Sequence, residues 1–296
     1  MAARSGDGDA LYLDLLKQVL TRALFETEHV AYEPPVDAPE RPVWEVLRDY
    51  SPRGVELVRR RPYDAAKRAE GRDWPAEAET MVGLRRLDNV QACVEQALDD
   101  GVPGDLLEAG VWRGGASILM RAVLAARGVT DRRVWVADSF EGLPPPDPDR
   151  YPADAGDRHW TRTELAASLE QVRRNFARYG MLDEQVRFLK GWFEDTLPDA
   201  PVEQLAVLRA DGDMYGSTMD ILRSLEPRVA PGGFVIIDDY GAIEQCRLAV
   251  EDYRRERGIT DPILEVDWTG VYWRKGQASR EDAEGAAPAP SARPEQ

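Results

Sequence analysis

The chain has 296 residues, with 38 Lys+Arg against 54 Asp+Glu and a formal net charge of −16. Hydrophobic residues make up 43% of it, enough for a real core in one large domain or two small ones, which excludes wholesale disorder. The acidity argues against a nucleic-acid partner, because the net field repels phosphate, and two cysteines, Cys93 and Cys246, are too few for a disulfide framework. No apolar run approaches the ~20 residues of a membrane span, so no membrane partner is expected. Residues 1–30 lack the basic start, short apolar core and cleavage site of a signal peptide. The expected compartment is therefore a reducing cytoplasm.

Residues 1–9 are small and polar and read as a frayed start. Tyr12, Leu15, Leu16, Val19, Leu20 and Ala23 then follow helical spacing, predicting an amphipathic helix over 11–25. Residues 34–79 are rich in proline and charge, and read as a loop with short helices, a candidate flap. The basic run Arg59-Arg60-Arg61 within it reads as a solvated face. Helix resumes near Thr80 and runs to about Asp99. From Gly104 onward, apolar runs (DLLEAG, RVWVAD, VRFLKG, LAVLRADGD, GFVIIDDY) alternate with helical stretches near 116–127, 163–179, 217–228 and 242–257. Two further strands are expected near 262–266 and 270–274. Near-continuous apolar strands between helices predict a doubly wound α/β sheet covered on both faces, mostly parallel and seven strands wide. The division expected is an N-terminal helical extension with lid segments (1–100), a sheet domain (101–275) and a low-complexity tail (276–296).

Three strand ends carry pocket chemistry. The turn Glu108-Ala-Gly110-Val-Trp112-Arg-Gly114-Gly115 leads into a helix that begins around Ser117, and its glycines let the backbone approach a ligand. A dinucleotide fingerprint would need glycine at 112, where Trp stands. Glu108 could receive a ligand ammonium, Asp138 the hydroxyls of a ribose, and Gly191-Trp192-Phe193 an aromatic wall for a purine. Acid, glycine turn, acid and aromatic in that order describe a pocket for S-adenosylmethionine. The competing reading of any one feature is a tight turn without ligand.

Asp211 and Asp213 end one strand run, and Asp238-Asp239 end the next, 27 and 28 positions after Asp211. Adjacent strands lie about 4.8 Å apart, so these acids share one sheet edge. Mutual repulsion there would raise their pKa values, and a hard divalent cation such as Mg²⁺ relieves it. Helix capping could account for one or two of the four.

At these residues the chain resembles the macrocin O-methyltransferase family, class I methyltransferases that act on sugars of macrolides, aminocoumarins and related natural products. The resemblance is carried by TMVGLRRLDN (80–89), DLLEAGVWRGGAS (105–117), VWVADSFEGLP (134–144), RNFARYGMLDEQVRFLKGWFEDTLP (174–198) and LAVLRADGDMYGSTMDILRSLEPRVAPGGFVIIDDY (205–240). It implies a class I methyltransferase fold, Rossmann-like, that uses S-adenosylmethionine and Mg²⁺. It implies Asp211, Asp238 and Asp239 as metal ligands, and Asp213 as the base, with Asp211 the other candidate. Thr80, Met81, Glu108, Gly110, Ser117, Asp138, Ser139, Gly191 and Trp192 would form the cofactor pocket. The acceptor would be a small-molecule glycoside, methylated on a sugar hydroxyl. Two readings stand beside this one: a metal-dependent catechol-type O-methyltransferase and an inactive methyltransferase-fold scaffold. His159, in the loop DAGDRHWTR, could contact substrate or assist proton transfer, or simply be solvated; Trp160 could stack on the acceptor or pack. The helix 11–25 is expected at a homodimer contact, and 34–79 with 145–165 as a lid over the acceptor.

Overall fold

The structure is a computed structural model that describes residues 5–25, 27–48 and 58–277. Residues 1–4 of the expected frayed start and 278–296 of the expected tail lie outside the described residues. In chain order the elements are α1 (Ser5–Leu20), β1 (Thr27–Ala31), α2 (Arg41–Arg48), β2 (Val58–Pro62), α3 (Ala65–Glu70), α4 (Leu84–Asp99), β3 (Asp105–Ala109), α5 (Gly115–Ala126), β4 (Val134–Asp138), α6 (Leu169–Arg178), β5 (Val186–Lys190), α7 (Phe193–Thr196), β6 (Leu205–Ala210), α8 (Tyr215–Leu225), β7 (Val229–Ile237), α9 (Glu244–Arg257), β8 (Leu264–Glu265) and β9 (Val271–Arg274).

Seven strands form one sheet in the order β5-β4-β3-β6-β7-β9-β8. The pairs from β5 to β7 are parallel, and β9 runs antiparallel to β7 and to β8. Strand side chains alternate between two cores. Leu106, Val134, Val136, Val207 and Ile236 face α1, α4, α5 and α6, whereas Leu107, Ala137, Leu208, Val235 and Ile237 face α8 and α9. That double burial explains why each strand reads as a continuous apolar run. The chain order reverses between β3 and β6, and a doubly wound sheet opens its ligand crevice at that point.

Several expectations shift. Helix α1 begins at Ser5, ahead of residue 11, and ends at Leu20, where Arg22 turns the chain with φ +61°. Its buried side is Leu13, Leu16, Lys17 and Leu20, while Tyr12 and Leu15 of the expected stripe are exposed. Apolar residues cover a wide arc of this helix, and packing against α5 and α4 selects one edge of it. Lys17 is buried there because Asp14 and Asp88 take its ammonium. Helix α6 starts at Leu169, because Ser168 caps it by accepting the Gln171 N–H at 3.2 Å. Residues 163–165, expected inside that helix, form a separate 3₁₀ turn. Within 34–79, β2 pairs with β1 as a two-stranded antiparallel sheet, and Arg59, Arg60 and Arg61 lie on its exposed strand.

Candidate active site

Backbone hydrogen bonds carry the ladder past the strand ends. Asp211 donates to the Ala109 carbonyl at 2.8 Å, Asp238 to Ala210 at 3.0 Å, Gly110 to Ala137 at 2.9 Å and Gly191 to Asp138 at 3.0 Å. The chemistry-bearing residues of five strands are thereby placed along one edge. Gly110 has φ +87°, and a Cβ there would stand 1.9 Å from the Asp211 carbonyl oxygen. Only glycine admits that contact between the ends of β3 and β6. Gly191, with φ +143°, has the same requirement, since a Cβ would meet Cγ2 of Thr196 at 2.5 Å.

A cavity of about 350 Å³ opens along this edge. Thr80, Met81, Glu108, Gly110, Asp138, Ser139, Gly191, Trp192, Asp211, Asp213, Asp238 and Asp239 all line it. Ser117 does not. Its hydroxyl, fully buried, donates to Glu108 from behind. Glu108 lines the cavity with both oxygens already engaged, since its other oxygen accepts from Arg209 at 2.6 Å. Burial pushes the Glu108 carboxyl up to about 7, against the pull of Arg209 and Ser117. Asp138 braces the glycine turn, accepting the Val111 N–H at 2.8 Å and the Phe140 N–H at 2.7 Å. Burial nonetheless raises its pKa. Thr80 accepts the Val82 N–H at 3.1 Å, and Ser139 donates to the Gly142 carbonyl at 2.7 Å.

The four aspartates divide differently from the expected set. Ligand oxygens of Asp211, Asp213 and Asp239 all lie within 4.8 Å of one another. Asp238 stands apart from this trio because two arginines claim its carboxylate, Arg209 from the neighbouring strand and Arg86 from α4. Burial works to raise the Asp238 pKa, but Arg209 and Arg86 outweigh it and hold the group below the ordinary carboxylate range. The trio behaves in the opposite way. Burial and the Asp238 charge push Asp211 up to about 6. Burial, with Asp211 and Asp238, pushes Asp213 up to about 8. Burial and the same neighbours raise Asp239 well above its usual value. Asp239 also has a buried oxygen with no hydrogen-bond partner. Three oxygens close enough to repel, one of them unpartnered, fit a hard divalent cation. Asp213 has φ +53°, a strained conformation for a non-glycine residue, at the turn that brings its side chain to the other two.

Sequence reasoning missed the two arginines. Arg209 is fully buried and bonds Glu108, Asp211 and Asp238; Arg86 bonds Asp238 and lies 3.2 Å from Asp267. The signal for Arg209 was present, because a cation inside the apolar run LAVLRA must be paired. Arg86 gave no such signal, since its partner Asp238 is 152 positions away. The 145–165 segment lies over the cavity as 3₁₀ turns, docked on α8. Asp154 accepts the Tyr215 and Gly216 N–H groups at 2.7 and 2.8 Å, and the Tyr151 hydroxyl donates to Asp220 at 2.7 Å. His159 lines the cavity; Trp160 is 45% exposed and is not among the lining residues. From the 34–79 stretch, Gly71 and Trp74 reach the cavity.

The family model for Macrocin-O-methyltransferase (TylF) matches residues 9–275. A tetracenomycin-C rhamnosyl 4'-O-methyltransferase of Streptomyces olivaceus is 56% identical over 92% of this chain and 95% of its own. Mycinamicin III 3''-O-methyltransferase of Micromonospora griseorubida is 49% identical over 90% of this chain and 97% of its own. Among solved structures, the O-methyltransferase NovP superposes with a TM-score of 0.74 at 46% identity, over 90% of this chain and 99% of that one. The chain belongs to the macrocin O-methyltransferase family and is an O-methyltransferase with its class I fold.

Proposed function

We propose that the protein methylates a sugar hydroxyl of a glycosylated natural product, with S-adenosylmethionine as methyl donor and Mg²⁺ as the cation. The observation that carries the reading is that Asp211, Asp213 and Asp239 open into the same cavity as the Gly110 turn and Trp192. A methyl donor and an acceptor hydroxyl could therefore meet there, beside the carboxylates that would hold the cation. The similar tetracenomycin-C enzyme, named for a rhamnosyl-bearing compound, favours a sugar over a catechol. When bound, the cation supplies positive charge that makes a nearby hydroxyl easier to deprotonate. Asp211 and Asp239 belong both to the set the resemblance implies and to the geometric trio. Asp213, expected as the base, is the trio's third oxygen donor. Arg209 and Arg86 neutralise Asp238 and fix the strand ends, and docking of 145–165 on α8 shields the cavity. Fixed positions of donor and acceptor groups supply much of the acceleration in such a site.

Methyl transfer from S-adenosylmethionine to a panel of glycosides and catechols, with and without EDTA, tests the reading. Transfer to glycosides that EDTA abolishes is the expected result; transfer to catechols, or transfer insensitive to EDTA, would overturn it. Both cysteines are buried and unpaired, in keeping with the reducing cytoplasm we place the protein in. No helix among the described residues is long and apolar enough to cross a membrane. The assembly proposed is a homodimer through α1, whose Leu11, Tyr12 and Leu15 remain 71%, 39% and 53% exposed while its other side enters the core.

A further inference from the structure

The cavity has a polar floor of carboxylates and, where it meets solvent, a different chemistry. Among the described residues, Trp74 and Trp268 are the large apolar side chains that both line this cavity and stand exposed, at 45% and 39%. They come from distant parts of the chain, and the structure ties them together. The indole Nε1 of Trp268 donates to the Glu70 carbonyl at 2.7 Å, and the Arg72 guanidinium lies 4.3 Å from the centroid of the Trp268 ring. The turn leading from Glu70 to Trp74 passes through Gly71, with φ +64°. A Cβ there would stand 2.5 Å from Nη2 of Arg86 and 2.6 Å from the Gly83 nitrogen, so only glycine seats the turn. Arg86 is the arginine that reaches Asp238 at the sheet edge, which fixes the Trp74 turn relative to the site. From the lid, the Arg162 guanidinium lies 5.9 Å from the centroid of the Trp74 ring. Trp74 also lines a second cavity, beside Phe25, Tyr63 and Pro75, so open space continues past the rim.

Indole rings held at the rim of a cavity keep apolar area in water until a ligand covers it, and such exposed area marks binding grooves. A sugar presents mainly hydroxyls, which suit the carboxylate floor. The part of a glycoside that presents an apolar face is its aglycone. We propose that Trp74 and Trp268 form the subsite for that aglycone, a flat or largely apolar ring system, and hold it at the rim while the sugar reaches the carboxylates. The proposal rests on the glycoside reading above. Such contacts act on the bound acceptor before and during transfer alike, so they lower KM and leave kcat. The two tryptophans thus set which glycosides are used, not how fast a bound sugar is methylated.

The test measures methyl transfer from S-adenosylmethionine to para-nitrophenyl rhamnoside and to methyl rhamnoside, which share the sugar and differ in the aglycone. Wild type should show the lower KM on the aryl compound. Trp74→Ala should raise that KM about 10-fold, roughly what one aromatic contact contributes, with kcat near wild type. The KM for methyl rhamnoside and for S-adenosylmethionine should move far less, a split that general damage to the fold would not produce. Trp74→Phe keeps a ring at the rim and should restore most of the loss, and Trp268→Ala should shift KM in the same direction as Trp74→Ala. With an active wild type, an equal change on both rhamnosides, or no change on either, would overturn the subsite and leave the glycoside reading standing. A wild type that methylates neither rhamnoside would overturn the sugar reading, and the subsite falls with it.

Discussion

At the scale of single residues the site is governed by which of its acids the two buried arginines hold. Arg209 bonds three acids from a fully buried position, and Asp238, Asp211 and Glu108 keep it charged against the burial that would discharge it. Removing one partner of such a network leaves uncompensated buried charge. Arg209→Met should therefore cost about 3–5 kcal/mol in urea unfolding, a figure for broken buried pairs. The trio, of which only Asp211 touches an arginine, has the reverse character. Its folded pKa values are raised, to about 6 for Asp211 and about 8 for Asp213, so the ionised forms are disfavoured by folding. Without a cation, the trio's contribution to stability is thus fullest below the unfolded carboxylate range near pH 4, and declines as pH rises toward 8. A cation must displace those protons, so it binds more tightly at pH 8 than at pH 6. At about 100 times its dissociation constant a ligand adds about 2.7 kcal/mol, so Mg²⁺ should raise the melting temperature by several degrees at pH 8. The rise should be smaller at pH 6. Asp239→Asn should melt no lower than wild type without Mg²⁺ and lose the Mg²⁺-dependent rise; an equal rise in wild type and variant would remove Asp239 from the ligand set.

At the scale of elements, the ends of β3 and β6 meet through one glycine. Gly110→Ala places a methyl 1.9 Å from the Asp211 carbonyl in a left-handed conformation. The two strand ends must then separate, and S-adenosylmethionine binding by calorimetry is expected to be lost while far-UV circular dichroism remains near wild type. Unchanged affinity would show that this contact does not shape the cofactor side. The same junction shows what a sequence can reveal. Strands β3, β4, β6 and β7 were legible because each is buried on both faces and stops at Gly or Asp, the residues that leave a sheet edge. The acids' partition was not legible, because it depends on Arg86 arriving from α4, and nothing local couples position 86 to position 238. The β1–β2 pair was missed for a related reason. TEHVA and VRRRP lack an alternating apolar face, and 26 intervening residues separate Ala31 from Val58, so neither periodicity nor a short turn marks the pairing. The edge of α1 that enters the core was hidden by an apolar arc wider than its contact.

At the scale of the whole molecule, the packing role of α1 and the dimer contact we propose for it are separated by different substitutions. Leu13, Leu16 and Leu20 belong to the buried cluster shared with α4, α5 and the sheet. Leu20→Ala should therefore destabilise the fold by about 2–5 kcal/mol, the range for a core leucine. Leu11 and Leu15 lie outside that cluster, and Leu24 and Phe25, after the helix end, are 45% and 47% exposed. On the proposed dimer these exposed apolar side chains would form the contact, while the net charge of −16 keeps copies apart elsewhere by repulsion. On the proposed dimer, Leu11→Glu with Leu15→Glu should halve the mass seen by light scattering and leave the melting temperature of the separated protomer intact. Raising the salt concentration should strengthen the wild-type dimer, because it screens charge repulsion without weakening apolar contact. A wild type that is monomeric, or a doubly substituted protein that stays dimeric, would leave α1 with its packing role alone.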